Sequence, residues 1–407
     1  MAIKDRLEEM KGIETVWGKI ISEKEAYKLA VRQVAAFSAN LFQVMRILEP
    51  DYNKRTEAIC DIAYMMNAGV AGTPDMQKDY IDAFKDEWNI PEFCEQSAWL
   101  GGLIGEYGDE YNNMAGRVVQ FTRDRVEKEL DTCPWDIVGS EMCNMTTAMF
   151  TANFDLNAAS GTIDNEICLN MCEARGCGDM HCRVVAERKD VFNLETQGHL
   201  DHMQQPVMPV HPTPRERMVR EGQVLRNGKY TNVFGEEKTL EWCYRWVMEN
   251  GWLWSVTFPL TAIRDMTDTE EEFVRILKIV FSTAGKNAFI DPFVVEGMRS
   301  WLGVPREIGW NDGRLLGGYI KAMLDIQLVP NEVVQFDEEA TKIQVTQEDF
   351  NGRFPMAPME ELTIGYEALW HNMAKTMVSP EWSCWIEGQD EEMMTIVVAK
   401  KVDKHMI

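Results

Sequence analysis

The sequence predicts the α/β class, as a mixed α+β protein made of two related modules in one chain. Three observations predict this: a length of 407 residues, four short segments that recur in the same order, and a proline-rich stretch between the two copies. A chain of this length is too long for a single ordinary hydrophobic core, so two domains are expected. We expect each module to be a helical cap plus a small, mainly antiparallel sheet, and the two to form a pseudo-dimer.

The repeat defines the expected division of the chain. Its first segment, Val-Val-Gln-Phe, occurs at residues 118–121 and again at residues 333–336. The other matched pairs are residues 139–143 with 365–369, 144–149 with 372–377, and 183–188 with 396–401. Four matches in the same order indicate a duplication, and chance similarity between two helix–strand units is the alternative.

The predicted domains follow from the repeat. Residues 1–198 form the first module, residues 199–235 a linker, and residues 236–407 a second, degenerate module. Residues 4–116 are predicted to be mostly helical, because apolar side chains recur three and four positions apart. The linker is expected to be an extended arm because of its prolines, which are Pro206, Pro209, Pro212 and Pro214.

The charge balance argues against nucleic-acid and membrane partners. The chain has 41 lysines and arginines against 66 aspartates and glutamates, a formal net charge of -25. Such a surface repels phosphate backbones and anionic lipids. The N-terminus predicts a charged amphipathic helix rather than a secretory signal. We therefore expect a cytoplasmic protein whose 10 cysteines are thiols, nucleophiles or metal ligands rather than disulfides.

A cysteine cluster is present only in the first copy. Cys143, Cys172, Cys177 and Cys182 are the predicted metal ligands, because cysteines on either side of a reverse turn can converge with one on a neighbouring helix. Zinc is the expected metal and iron its competitor. Buried free thiols that pack as small apolar side chains are the alternative. In the second copy, the equivalent positions are expected to hold Leu369, Trp385, Asp390 and Thr395.

The segment Arg175-Gly176-Cys177-Gly178-Asp179, followed by Cys182 and an apolar strand, resembles the end of the 4-vinyl reductase domain. That domain also serves as the aromatic-sensing module of some bacterial transcription activators. The resemblance implies a dimeric module that binds small aromatic molecules and holds zinc through cysteines near the turn plus an upstream residue. The zinc-binding version has a cysteine where this chain has Ala174, and Cys172 is the candidate replacement.

The same region is similar to the L-2-amino-thiazoline-4-carboxylate hydrolase family. The similarity rests on residues 154–159, residues 173–179 and Cys182. Together the two resemblances cover residues 133–189, with a degenerate echo at residues 358–401. They imply one fold that either binds or hydrolyses a small organic molecule.

The first functional hypothesis is a hydrolase that acts on a small cyclic or carbonyl-containing organic acid. Cys143 or Cys177 would be the nucleophile, or a bound metal would activate water. Glu141 and Asp155 would supply the general base and acid, with His181 as a proton shuttle. Each of the three also has an ordinary structural explanation. Glu141 would complement a helix dipole, Asp155 would cap a helix or face solvent, and His181 would lie on the surface.

Two other hypotheses involve no chemistry. The protein would be a ligand-binding module for an aromatic or other small organic molecule, with a pocket lined by aromatic and methionine side chains. Alternatively it would be a subunit of a larger complex, and a homo-oligomer would satisfy the same surfaces. No Walker loop, basic recognition helix or output domain is evident, so a complete transcriptional sensor is not expected.

Overall fold

The computed structural model describes residues 3–71, 116–121, 125–130, 133, 135–159, 167–188, 240–352, 359–389 and 392–400. The first half of the chain contains α1 (Ile3–Glu8), β1 (Ile13–Glu14), β2 (Ile20–Ile21), α2 (Glu23–Leu48), α3 (Tyr52–Ala71), β3 (Gly116–Phe121), β4 (Arg125–Leu130), α4 (Ser140–Ala159), β5 (Ile167–Glu173) and β6 (Cys182–Arg188).

The second half contains α5 (Leu240–Trp246), α6 (Phe258–Asp265), α7 (Glu270–Ala288), α8 (Pro292–Leu302), α9 (Arg314–Ile326), β7 (Glu332–Phe336), β8 (Ala340–Thr346), α10 (Gln347–Gly352), α11 (Met359–Met373), β9 (Trp382–Glu387) and β10 (Met393–Lys400). Helices with small antiparallel sheets make this a mixed α+β protein, which confirms the predicted fold class. Within the described residues, no helix is both long and apolar enough to cross a membrane.

The chain divides into two compact units. The central unit is Ala35–Trp246, and the terminal unit combines Met1–Val34 with Val247–Ile407. This division differs from the predicted boundaries in two places. The first 34 residues belong with the second half of the chain, and Leu240–Trp246, predicted to be in the second module, belongs with the central unit. The predicted linker, residues 199–235, lies outside the described residues.

Hydrogen bonds fix the N-terminal hairpin within the terminal unit. The Thr15 hydroxyl donates to the Leu302 carbonyl over 2.9 Å, and Lys19 Nζ donates to the Ser300 carbonyl over 3.0 Å. The Trp17 ring packs edge-on against Phe336 with ring centroids 5.7 Å apart. These partners are more than 280 residues away in the sequence, so no local pattern indicates them.

The two units contain the same sheet. Its strand order is β3-β4-β6-β5 in the central unit and β7-β8-β10-β9 in the terminal unit, with every pair antiparallel. The register shifts between Val118 and Gln120 in the first sheet and between Val333 and Gln335 in the second. A β-bulge thus occupies the same place in both copies of the Val-Val-Gln-Phe segment. Bulges are specific features of a strand pair rather than random defects, so the two sheets are one recurring motif.

The register of the sheets corrects one of the repeat alignments by a single residue. Glu127 and Lys342 hold equivalent places after the bulge, and they pair with Val185 and Val397. The sequence match had instead aligned Val184 of the first copy with Val397 of the second. Because side chains alternate between the two faces of a strand, a slip of one residue would exchange those faces, and the ladder excludes it.

The corrected register changes the equivalents of two cysteines. Cys182 corresponds to Met394, and the expected equivalent Thr395 corresponds to Arg183 instead. Cys172 has no equivalent, because it lies where the β5–β6 register shifts between Met171 and Glu173. The terminal sheet therefore has no residue equivalent to Cys172, since its β9–β10 pairing has no register shift.

One helix covers each sheet in the same manner. In the central unit α4 packs on α3 and on β5, and in the terminal unit α11 packs on α7 and on β9. The predicted match of residues 139–143 with 365–369 is wrong at its first position. Gly139 precedes α4 with a φ of 109°, whereas Gly365 lies within α11 next to the Phe281 ring.

Substitution of Gly285 tests the close packing of α7 on α11. A Cβ atom there would lie 2.2 Å from the Leu369 carbonyl oxygen, so the backbones would have to separate. We expect Gly285→Ala to lower the free energy of unfolding by about 1–3 kcal/mol, as overpacking does, and calorimetric thermal unfolding measures the change.

Gly297 is the matched control, because it is also a helical glycine but a Cβ atom there would meet no atom within 4 Å. Gly297→Ala is expected to raise stability by about 0.4–1 kcal/mol through a less flexible unfolded chain. Equal effects of the two substitutions would contradict the packing of α7 on α11.

Candidate functional site

A tight turn joins β5 to β6 and carries the centre of the candidate site. Residues Arg175–Cys177 form one 3-10 turn, closed by Gly178 with a φ of 97°. Glycine suits this left-handed conformation because it has no Cβ atom to clash. The Asp179 carboxylate accepts a hydrogen bond of 2.8 Å from the Ala174 N–H. The turn is therefore held in one conformation by its own sequence.

Arg175 fixes the turn to the segment that precedes α4. Its guanidinium donates to the Asp136 carboxylate over 2.9 Å and to the Met180 carbonyl over 2.8 Å. Gly176 is buried against the start of α4, where a Cβ atom would lie only 2.7 Å from Cys143 Sγ. The backbone of the turn can approach α4 this closely because residue 176 has no side chain.

Four thiols meet between this turn and the start of α4. Cys143 on α4 is hydrogen-bonded to Cys177 on the turn. Cys133, ahead of α4, is hydrogen-bonded to Cys182 at the start of β6. Cys143 also interacts electrostatically with Cys182 and Cys133, so the two pairs are neighbours.

The two pairs have the same pattern of exposure. Cys177 and Cys182 are buried, with exposures of 0% and 5%, whereas Cys133 and Cys143 are partly exposed. Each pair therefore joins one buried residue to one that is partly exposed.

The hydrogen bond between Cys133 and Cys182 shifts the pKa values of these two thiols in opposite directions. The hydrogen bond from Cys133 holds the pKa of Cys182 below its ordinary value against the effect of burial, and the Arg175 N–H, 3.3 Å from Cys182 Sγ, adds to this. The pKa of Cys133 is raised because it donates to Cys182 and is surrounded by protein. For the same two reasons, with Cys177 as its partner, the pKa of Cys143 is raised. Cys182 is thus the thiol of its pair that loses its proton first.

Three of the four predicted metal ligands are gathered here, namely Cys143, Cys177 and Cys182. Cys172 packs against the buried Ala174 and Cys177, beside the thiol pairs. Within the described residues, no group of three or more His, Cys, Asp and Glu side chains is already arranged around a common metal position. The thiols lie as two hydrogen-bonded pairs instead.

Sequence reasoning missed Cys133 as a member of the cluster. The available indication was its position ten residues before Cys143 and two residues before Trp135. Trp135 is buried in the structure. The cross-strand pair Leu130–Cys182 brings the end of β4 to the start of β6, and Cys133 follows that end by three residues. Only strand pairing across about fifty residues makes these two thiols neighbours.

Glu141, the predicted general base, forms ion pairs with two arginines. Its carboxylate accepts hydrogen bonds from Arg46 over 3.0 Å and from Arg55 over 2.9 Å, and its side chain is 4% exposed. Burial acts to raise the pKa of Glu141, but the bonds from Arg46, its own backbone N–H and Arg55 outweigh burial and hold the pKa below its ordinary value. Glu141 therefore remains ionised and joins α4 to α2 and α3.

The other two predicted catalytic residues lie elsewhere. His181 Nε2 is 2.6 Å from Glu173 Oε2 and 3.9 Å from Glu129 Oε1, on the strands of the central sheet. Asp155 is in α4, and its side chain lies outside the described residues. Glu141 and His181 thus have separate partners and separate environments.

Substitution of Glu141 tests the ion-pair cluster. Glu141→Gln leaves Arg46 and Arg55 without their counter-charge, and we expect a loss of about 3 kcal/mol in the free energy of unfolding, as for other broken buried pairs. The folded-state pKa is lowered, so this contribution is present above the unfolded pKa of about 4.3 and is lost as pH falls through the folded value. The stability difference between wild type and variant should therefore shrink on acidification.

Denaturant unfolding at several pH values measures both effects. Glu57→Gln is the matched control, since Glu57 is exposed on α3 and undergoes the same chemical change. A pH-independent difference, or an equal loss in the control, would rule out the role assigned to Glu141.

Comparison of the chain with protein-family models, with curated proteins and with solved structures found no match. The likeness to the 4-vinyl reductase and thiazoline-carboxylate hydrolase families therefore remains a prediction from short motifs.

Proposed function

We propose that the central unit is a zinc-thiolate module that binds a small organic molecule without hydrolysing it. The observation that carries the metal part is the meeting of Cys133, Cys143, Cys177 and Cys182 as two neighbouring thiol pairs. This set replaces Cys172 of the predicted ligands with Cys133. Zinc is preferred to iron as the metal because zinc commonly takes four thiolates in tetrahedral sites.

The chemistry of the four positions fits such an ion. Thiol–thiol hydrogen bonds hold the sulfur atoms of each pair close together, and the two pairs are neighbours. The two pairs come from a helix start, a turn and a strand start, and these supply ligands from different directions. Thiolates carry negative charge, and the Arg175 N–H and guanidinium beside Cys182 offset part of it.

The same set of ligands favours binding over hydrolysis. Four protein ligands fill a tetrahedral site and leave no position for a water molecule, as in structural zinc sites. Glu141, which was the predicted general base, is ionised and forms ion pairs with Arg46 and Arg55. The small organic ligand, with an aromatic acid as its expected class, is proposed from the family resemblance.

Metal content tests the proposal directly. Protein purified without chelator or affinity metal should contain about one zinc per chain, as expected for a closed thiolate site. Cys177→Ser and Cys182→Ser should lose it, and Cys384→Ser, the only cysteine outside the central unit, should retain it. Mass spectrometry of the purified proteins measures the metal.

Two further variants identify the fourth ligand. Cys133→Ser should release the metal, whereas Cys172→Ser should retain it. The opposite result would restore Cys172 as the ligand, and a metal-free wild type that also fails to take up added zinc would end the proposal.

Hydrolysis is a second candidate, favoured by the contact between His181 and Glu173. A carboxylate 2.6 Å from an imidazole nitrogen can orient the ring, as in a base–orienter pair. We expect a hydrolase to turn over 2-amino-thiazoline-4-carboxylate, and His181→Asn to reduce turnover by about 100-fold or more, the usual size of a general-base effect.

Chromatography of the product measures this turnover. His371→Asn, in the terminal unit, is the control and should leave the rate unchanged. No turnover by the wild-type protein, or equal turnover by both variants, would exclude His181 as a base for this substrate.

A further inference from the structure

The two thiol pairs define one way of joining four cysteines. Four cysteines allow three sets of two disulfides. The hydrogen bonds select one of them, since Cys133 is bonded to Cys182 and Cys143 to Cys177. Disulfide geometry requires the two Cβ atoms to be about 3.5–4.5 Å apart, and hydrogen-bond contact places the sulfur atoms of each pair next to one another.

The backbone around each pair is fixed. Cys182 is held in β6 by the Leu130 pairing, and Cys177 by the closed turn at Gly178. Cys143 is two residues from Glu141, whose bonds to Arg46 and Arg55 position the start of α4. Each thiol therefore keeps its own partner within reach, while exchange of partners would require the turn or the helix start to move.

Each pair includes one residue that is partly exposed. Cys133 and Cys143 are these residues, and each is bonded to a buried partner. Hydrogen peroxide is small, so it needs only a narrow path to a sulfur atom at such a position.

We propose that these four thiols are an oxidation site for hydroperoxides, at which Cys133 pairs with Cys182 and Cys143 with Cys177. In each pair one sulfur attacks a peroxide oxygen, the O–O bond breaks, and a sulfenic acid and one water form. The partner sulfur then attacks that sulfur, the S–S bond forms, the S–O bond breaks, and a second water leaves with the thiol proton. Each disulfide thus consumes one hydrogen peroxide and two thiols and yields two waters.

The consequence for the metal rests on the proposed function. If the four sulfurs hold zinc, their oxidation removes all four ligands, and the ion must leave as the two disulfides form. The central unit would then exist in a reduced, zinc-bound form and an oxidised, zinc-free form. The terminal unit, with Cys384 as its single cysteine, would not change.

Peptide mapping after oxidation tests the pairing. Full-length reduced protein, with and without added zinc, is treated with hydrogen peroxide, its remaining thiols are alkylated, and its disulfide-linked peptides are identified. We expect the Cys133–Cys182 and Cys143–Cys177 linkages and no linkage to Cys384. Cys182→Ser should retain only the Cys143–Cys177 linkage, and Cys172→Ser, the matched control, should retain both.

The outcomes separate the two proposals. Any other linkage among the four cysteines, or sulfinic acids without disulfides, would overturn the oxidation site even if zinc binds. The expected linkages in a protein that takes up no zinc would support the oxidation site and overturn the zinc module. With zinc bound, a chromogenic chelator should detect release of about one ion per chain as the second disulfide forms.

Discussion

The candidate site depends on one buried ion-pair cluster, in which Glu141 holds Arg46 and Arg55. A carboxylate that is 4% exposed is costly unless it is paired, so the two arginines and the glutamate must be present together. Their bonds fix the start of α4 against the end of α2 and the start of α3. Cys143 is in the same helical turn as Glu141, so the cluster also determines where that thiol meets the β5–β6 turn.

The terminal unit contains a similar ion pair at the start of the helix that covers its own sheet. Arg264, near the end of α6, pairs with Glu361 in the first turn of α11, the helix that covers the second sheet. In both units, then, an arginine at the end of one helix holds a buried glutamate at the start of the covering helix. Together with the shared bulge and strand order, this pairing belongs to the common module rather than to the function of one copy.

The difference between the units is the cysteine cluster. Where the central unit has Cys182, the terminal unit has Met394, which is 1% exposed and packs in the core. The terminal unit thus completes its core with apolar side chains in place of thiols. The terminal unit forms the same sheet without the cysteine cluster, so the shared strand order does not depend on those thiols.

Local sequence patterns were enough to predict the fold class, the repeat and the region of the chain that contains the cysteine cluster. These depend on local patterns: the spacing of apolar residues, the Val-Val-Gln-Phe segment and the glycines that shape the turn around Cys177. Each is encoded within about twenty residues, so pattern reasoning can detect it.

The partners of individual side chains became known only from the three-dimensional structure. It grouped the first 34 residues with the second half of the chain, assigned Glu141 to two arginines, and added Cys133 to the thiol cluster. It also moved the equivalent of Cys182 from Thr395 to Met394. The physical reason is the same in each case, because strand register and ion pairing join residues that are far apart in the chain, and a single sequence carries no signal for such contacts.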